Sequence, residues 1–203
     1  HRVTALGLGR LGATVVMVSR AAPRGEAARA EVVAATGNPR VSVELADMAN
    51  QKSVRALAAR LIAAHPRIDV LVHSAGAMVY KRELTVDGVE RNLAVNYLGA
   101  FLLTQQLRAH LVASGPARIV CVSGEYHRRA HLDFDDLQLE RRFHPMRAAA
   151  RATLAKATFS SEMARRLVGT DVTCNALHPG AVRTELTRDL PLPLRLLAAL
   201  SRP

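Results

Sequence analysis

Gly7-Leu8-Gly9-Arg10-Leu11-Gly12-Ala13-Thr14-Val15-Val16-Met17-Val18-Ser19-Arg20 is the stretch on which the fold turns. Its first six residues match G-x-G-x-x-G, the glycine pattern of phosphate-binding loops. Such a loop works only where it follows a strand and opens a helix, because the helix N-terminus supplies the free N–H groups that meet phosphate. Here the order is reversed. A helix-like segment runs into the glycines and a β-branched run, 13–18, follows them. Gly12 therefore reads as the end of a helix. The run 13–18 reads as a strand, and its unbroken apolar character predicts burial on both faces.

Working outward, strand-length apolar runs alternate with helical patterns. Residues 25–35 are rich in Ala, Glu and Arg, and Thr36-Gly37-Asn38-Pro39 stops that helix. A second strand follows at Val41-Ser42-Val43-Glu44-Leu45. Asn50 is a cap for a helix running to about His65, with Val54, Leu57, Ala58, Leu61 and Ile62 on one face. Ile68-Asp69-Val70-Leu71-Val72 is a third strand. A long helix is expected over 86–112 with Thr85 as its cap, then a fourth strand over 117–122. Residues 125–145 form a charged, irregular segment, the kind of loop that carries function. A helix over 146–167 ends at Gly169, and a fifth strand over 171–177 stops at Pro179-Gly180. Pro191 and Pro193 open a short amphipathic helix. This alternation predicts one domain over 1–203 with a doubly wound α/β fold, its sheet parallel and covered by helices on both faces.

Composition narrows the function classes. Hydrophobic residues make up 49%, ordinary for a globular fold. No apolar run reaches the roughly 20 residues of a membrane span, and no signal peptide pattern is present, so the default expectation is a cytoplasmic protein. Cys121 and Cys174 have no metal or redox spacing and read as small buried hydrophobes. Net charge is +11, yet no basic run exceeds two residues and aromatics are only 3%, too few for a base-stacking platform. An Arg-rich solvated surface explains the charge better than a nucleic-acid partner. His127, His131 and Asp133 lie close in sequence, but on a loop and without a third ligand in evidence, so no metal is expected.

In parallel α/β sheets, ligands bind at the carboxyl ends of the strands, so the residues just after each strand matter most. After the first visible strand comes Ser19-Arg20. An acidic side chain there would bind the ribose of NAD, whereas an Arg pairs with the 2′-phosphate of NADP or is simply a surface residue. After the second comes Ala46-Asp47, after the third His73-Ser74-Ala75-Gly76, after the fourth Ser123-Gly124, and after the fifth His178-Pro179-Gly180 with Thr184 beyond. Small and polar residues at every strand end suit close backbone approach to a flat cofactor.

In this order the stretches 11–20, 45–47, 69–76, 93–99, 118–123 and 178–180 resemble the short-chain dehydrogenase/reductase family, in its retinol-dehydrogenase-like subgroup. The resemblance spans nearly the whole chain. It implies a Rossmann-like sheet seen here without the family's first strand and glycine-rich loop, with both chain ends looking cut. It places Asp47 beside the adenine ring and packs Ala75-Gly76 on the adenosine. Asn96 would be the helical Asn of the active site. Pro179, Gly180 and Thr184 would hold the nicotinamide carboxamide and phosphates. His73 and Ser74 depart from the family's Asn-Asn. NADP, preferred over NAD through Arg20, is the implied cofactor, bound weakly without the glycine loop, and a small carbonyl or alcohol the implied substrate. A homo-oligomer is compatible with the family.

The resemblance fails at the proton chemistry. The family uses a Tyr to give or take the proton, a Lys one helical turn later to lower the Tyr pKa and grip the ribose, and a Ser at the fourth strand's end to orient the carbonyl. Here Ala149 stands at the Tyr position, Thr153 at the Lys position and Gly124 at the Ser position, with Ser123 one residue before it. Ala149 has no proton to give and Thr153 no charge. Lys156 is one turn further on, expected to lie too far along the helix axis to substitute, and Tyr126 is the remaining candidate donor. The expectation is an NADP-linked oxidoreductase by descent, impaired or inactive in this chain. The alternative is a non-catalytic nucleotide-binding or scaffold protein.

Overall fold

The computed structural model describes residues 2–180. Helix α1 (Arg2–Arg10) ends just before Gly12, whose φ of 77° is a left-handed conformation suited to glycine. Asn38 locks this end by donating through Nδ2 to the carbonyls of Gly9 at 3.1 Å and Ala13 at 2.8 Å. The Arg40 guanidinium donates to the Gly12 carbonyl. The glycine run thus lies at a helix C-terminus, the negative end of the dipole and the wrong end for a phosphate.

Strands β1 (Val15–Ser19) and β2 (Val41–Leu45) pair in parallel, with Val15 opposite Val41. Helix α2 (Ala22–Thr36) crosses between them. It begins a few residues earlier than the Ala/Glu/Arg pattern indicates, because Pro23 pre-forms its first turn. Helix α3 (Gln51–Ala64) is capped as expected, Asn50 Oδ1 accepting from the Ser53 N–H at 3.0 Å. Strand β3 (Val70–His73) runs one residue further than expected, which draws His73 into the sheet.

The long helix does not start at residue 86. Residues 84–90 form a turn instead, with Leu84 bridged to Glu90 and Thr85 Oγ1 accepting from Asp87 and Val89. Helix α4 (Arg91–Leu93) begins after Glu90, whose carboxylate accepts from the N–H groups of Asn92 and Leu93. A carboxylate at a helix N-terminus satisfies free N–H groups and meets the positive end of the dipole, so it takes the cap from Thr85. The chain then passes through a π-helical turn (Ala94–Leu98) into α5 (Gly99–Ala113).

Strand β4 (Ala117–Val122), a 3₁₀ turn (Glu125–Arg129), α6 (Pro145–Arg166) and β5 (Val172–Leu177) complete the described chain. Strands β3, β4 and β5 form a parallel sheet, with Val70 opposite Arg118 and Ala117 opposite Val172. The strand orders are β1-β2 and β3-β4-β5, and among the described residues no ladder joins β1 to β3.

The two sheets nevertheless share one core. Leu57 and Leu61 of α3, Leu107 and Leu111 of α5, and Phe159 and Met163 of α6 pack on Ile119, Cys121 and Cys174, and Val16 of β1 and Leu71 of β3 join the same cluster. A second cluster, Ala5, Val15, Val32 and Val41, covers the other face of β1–β2. The β1–β2 pair is thus covered on both faces. The opposite face of β3–β5 carries Arg118, Thr173 and Asn175, all exposed among the described residues. Strand β1 is less buried than its apolar run predicts: Val18 is 44% exposed. The open edge toward β3 leaves that end of the strand without a neighbour. No described helix is long and apolar enough to cross a membrane.

Candidate functional site

The carboxyl ends of the strands gather the polar and small residues. Arg20 follows β1 and is exposed to solvent. Asp47 follows β2. Its Oδ1 accepts from the Ala49 N–H at 2.9 Å, and its own N–H donates to Ser53 Oγ at 2.9 Å, so the carboxylate is fixed by its loop.

The loop after β3 is held by one side chain. Asn96 Oδ1 accepts from the Ala77 N–H at 2.7 Å, and Asn96 Nδ2 donates to the Ala77 carbonyl at 2.9 Å. Both backbone groups of Ala77 are satisfied, which fixes Ala75-Gly76 just ahead of it. Asn92 does the same two residues on, accepting from Val79 N–H at 3.0 Å and donating to its carbonyl at 3.4 Å. Asn92 is in turn tied to buried Glu90 at 2.8 Å. Glu90 and Asn92 are supports that the linear pattern does not reveal. The Asp87-Gly88 pair, a turn signal, is the available hint that the helix starts later and that Glu90 caps it.

At the end of β4, Ser123 Oγ donates to the Thr153 carbonyl of α6 at 3.3 Å. A Cβ at Gly124 would lie 3.7 Å from Thr153 Cγ2. Positions 124 and 153 therefore face each other across the strand–helix junction, and Ala149 stands one turn earlier, its carbonyl accepting from Thr153 Oγ1 at 2.7 Å. Tyr126 rides on the 3₁₀ turn and is 59% exposed. His127 is bonded through Nδ1 to the Gly124 carbonyl at 2.7 Å, a local turn contact. Pro179 and Gly180 follow β5 and are exposed, Gly180 with φ of 75°. Thr184 and the segment opened by Pro191 and Pro193 lie outside the described residues.

Lys156 departs from expectation. It is 4% exposed, and its ammonium donates to the carbonyls of Val122 at 3.3 Å and Ala75 at 3.5 Å, at the very ends of β4 and β3. Helical side chains lean toward the helix N-terminus, so the lysine reaches back up α6 toward the level of Thr153. Distance along the axis does not exclude it. Burial lowers its pKa from the ordinary lysine value. Beside it, His73 is buried, its Nε2 2.6 Å from Thr104 Oγ1, and its pKa is pushed down to about 3 by burial and then by the Lys156 charge. The Cys121 thiol is pushed up, first by its hydrogen bond with Cys174 and then by burial.

A groove of about 950 Å³ lies elsewhere. Tyr97, Phe101, Phe134 and Phe159 line it, and none of the strand-end residues Arg20, Asp47, Gly76, Ser123 or Gly124 does.

A parallel α/β sheet with its polar residues at the strand carboxyl ends is the architecture of a nucleotide-binding domain. Comparison with known proteins agrees. A family model described as Enoyl-(Acyl carrier protein) reductase matches residues 2–202. Human retinol dehydrogenase 13 is 42% identical over 186 residues, which is 91% of this chain and 56% of that protein. The chain thus spans less than two thirds of the length of this curated relative. A crystal structure of an uncharacterized protein from Mycobacterium Paratuberculosis superposes with a TM-score of 0.78 at 33% identity, covering 100% of this chain and 72% of that one. A Pseudomonas aeruginosa RhlG/NADP active-site complex superposes with a TM-score of 0.72 at 25% identity, covering 91% and 69%. The chain belongs to the short-chain dehydrogenase/reductase family, a family of oxidoreductases acting on small molecules.

Among the described residues, only Asn96 Oδ1 lies near the missing Cβ of Gly76, at 3.6 Å, and none lies within 4 Å of that of Gly180, so the described backbone at both leaves space for a flat cofactor. Among the described residues, no glycine-rich turn opens a helix to cradle the pyrophosphate.

Proposed function

We propose that this chain is the NADP-binding core of a short-chain dehydrogenase/reductase whose own proton chemistry is disabled. The carrying observation is the pairing of positions 124 and 153. They face each other at the end of β4 with Ala149 one turn away, so the absence of Ser, Lys and Tyr falls in the place where a proton donor and its activating cation belong. When bound, the cofactor supplies a hydride for exchange with a carbonyl or alcohol. Asn96 holds the loop that lies under it, Ser123 is tied to the helix instead of free for substrate, and no described residue at 149 or 153 can deliver a proton. General acid–base catalysis contributes roughly 10²–10⁴-fold, so loss of it leaves little turnover.

NADP is favoured over NAD because Arg20 stands where an acidic residue would select NAD, and a guanidinium pairs well with a 2′-phosphate. The resemblance places the family's first strand and glycine loop between β1 and β3, and the unjoined edges there are consistent with that reading. Binding by this chain alone is then weak. A non-catalytic nucleotide sensor or scaffold is the second reading, favoured by the same Ala149 and Thr153.

The test is a titration with NADPH and NADH, followed by carbonyl reduction before and after the triple change Gly124→Ser, Ala149→Tyr, Thr153→Lys. Tighter NADPH binding and a rise in reduction by orders of magnitude in the triple variant are expected, with little effect from single changes because such residues act as a unit. Normal enzymatic turnover with Ala149 in place, or tighter binding of NADH, would refute the reading.

A further inference from the structure

Strands β1 and β3 each have one edge without a ladder among the described residues, and the register shows which backbone groups those edges carry. In β1 the Val15 N–H donates to the Arg40 carbonyl at 2.8 Å and the Ser19 carbonyl accepts from the Ala46 N–H at 3.0 Å, so residues 15, 17 and 19 bond to β2. Successive residues of a strand direct their backbone groups to opposite sides. Val16 and Val18 therefore turn their N–H and C=O groups away from β2. In β3 the Asp69 carbonyl accepts from the Arg118 N–H at 2.8 Å, with Val70 opposite Arg118. Residues 69, 71 and 73 thus bond to β4, and Val70 and Val72 face away from it. These four valines make the two open edges. Both edges border one core, because Val16 and Leu71 pack on the same cluster as α3 and α5. The side chains are those of a sheet interior. Edge strands that face water are usually guarded by charge, Pro or a bulge, and the outer strand β2 carries Glu44 paired with Arg60. β1 and β3 hold neither Asp, Glu, Lys, Arg nor Pro, yet Val18 is 44% and Val70 40% exposed.

We infer that β1 and β3 together form an acceptor for one extended peptide strand added in trans, uncharged and β-branched, which ladders with Val16 and Val18 on one side and with Val70 and Val72 on the other. A single strand serves both edges, since its own backbone groups alternate sides. Main-chain bonds supply the affinity in strand addition, and alternate side chains supply the specificity. Here one face of the added strand meets Val16, Leu71 and the cluster of α3 and α5. That face selects apolar residues, because a charge placed there is buried without a partner. No nucleotide, glycine loop or proton donor takes part, so the inference stands apart from the dinucleotide reading.

The test is amide hydrogen exchange of the whole chain, read by NMR at Val16, Val18, Val70 and Val72, with Ile119 and Val120 of β4 as the internal reference. The probe is the end-capped peptide Lys-Thr-Val-Val-Ile-Val-Lys, its lysines added for solubility. The control is the same peptide with its central Val replaced by Pro, which lacks an N–H and breaks a ladder. The Val peptide is expected to slow exchange at all four valines by about tenfold or more, because a laddered amide exchanges only through opening. The Pro peptide is expected to leave them fast. Val18→Lys, at an exposed position of the β1 edge, should abolish the slowing by guarding that edge with a charge. No slowing by the Val peptide overturns the inference. Equal slowing by both peptides overturns it too, since apolar adhesion then replaces laddering. So does slowing that survives Val18→Lys, which places the peptide elsewhere. Valine amides already as slow as Ile119 without peptide also overturn it, because the edges are then paired with each other or with a second copy.

Discussion

His73 shows how one buried residue sets a pH dependence. Its pKa is about 3 in the folded protein against the ordinary histidine value of 6.5, lowered by burial and then by Lys156. Between those values the unfolded chain binds a proton that the folded chain refuses. Stability is therefore full above pH 6.5 and declines as pH falls toward 3, by up to about 1.4 kcal/mol per pH unit. Urea unfolding across pH 3–7 should show this slope, and His73→Gln should flatten it. An unchanged slope in the variant would assign the acid limb to other groups. Lys156 is shifted in the same direction as His73. Its pKa is lowered by burial, which disfavours the charged amine. Lys156→Met should raise the thermal midpoint at pH 7, because an apolar side chain of similar length carries no amine to desolvate. A fall in midpoint would mean that the two carbonyl bonds matter more than the desolvated charge.

Asn96 and Glu90 are the residues that connect sequence to loop geometry. Asn96→Ala removes both bonds to Ala77 and frees two backbone groups. A loss of about 1–3 kcal/mol is expected, with faster amide exchange at 75–77. Exchange that stays slow would mean that packing, not Asn96, fixes the loop.

At the level of elements, the junction of α5 with the β2–α3 loop is the tightest contact in the site's support. A Cβ on Gly99 would lie 2.5 Å from the Met48 carbonyl oxygen. Alanine is favoured over glycine inside a helix by roughly 1 kcal/mol, but here the obstacle is backbone that cannot rotate away. Overpacking typically costs about 1–3 kcal/mol, so Gly99→Ala should lower the thermal midpoint. A rise would show that the loop yields more easily than its position implies. At helix α4 a local signal again overrides a longer one. The apolar periodicity of 86–112 reads as one helix, yet the chain turns at Asp87-Gly88 and starts the helix at Glu90, because a carboxylate cap and a glycine turn outweigh the continuity of the pattern.

For the whole molecule, the unjoined edges of β1 and β3 are the consequence that hydrogen exchange can read. Strand β4 is laddered on both sides, whereas β1 and β3 are each laddered on one. The outward-facing amides of β1 and β3 should exchange much faster than those of β4, although α3 and α5 hold both sheets on one core. Equal protection would mean that those edges are paired in solution.

The amino-acid sequence by itself determined the alternation of strands and helices, the parallel sheet, the Asn50 cap and the decoy nature of Gly7 to Gly12, because each depends on local periodicity, on Gly, Pro and Asn at element ends, and on the order of helix and strand. It also set Ala149 and Thr153 on one helix and Gly124 just past one strand, since those elements are local too. The tertiary structure alone decided that Lys156 reaches the ends of β3 and β4, that His73 is buried beneath it, and that Asn96 and Asn92 hold the loop after β3. Those facts depend on contacts between residues 13 to 81 positions apart in the chain. The burial that shifts His73 and Lys156 comes from helices packing over the sheet, a three-dimensional property that no linear pattern carries.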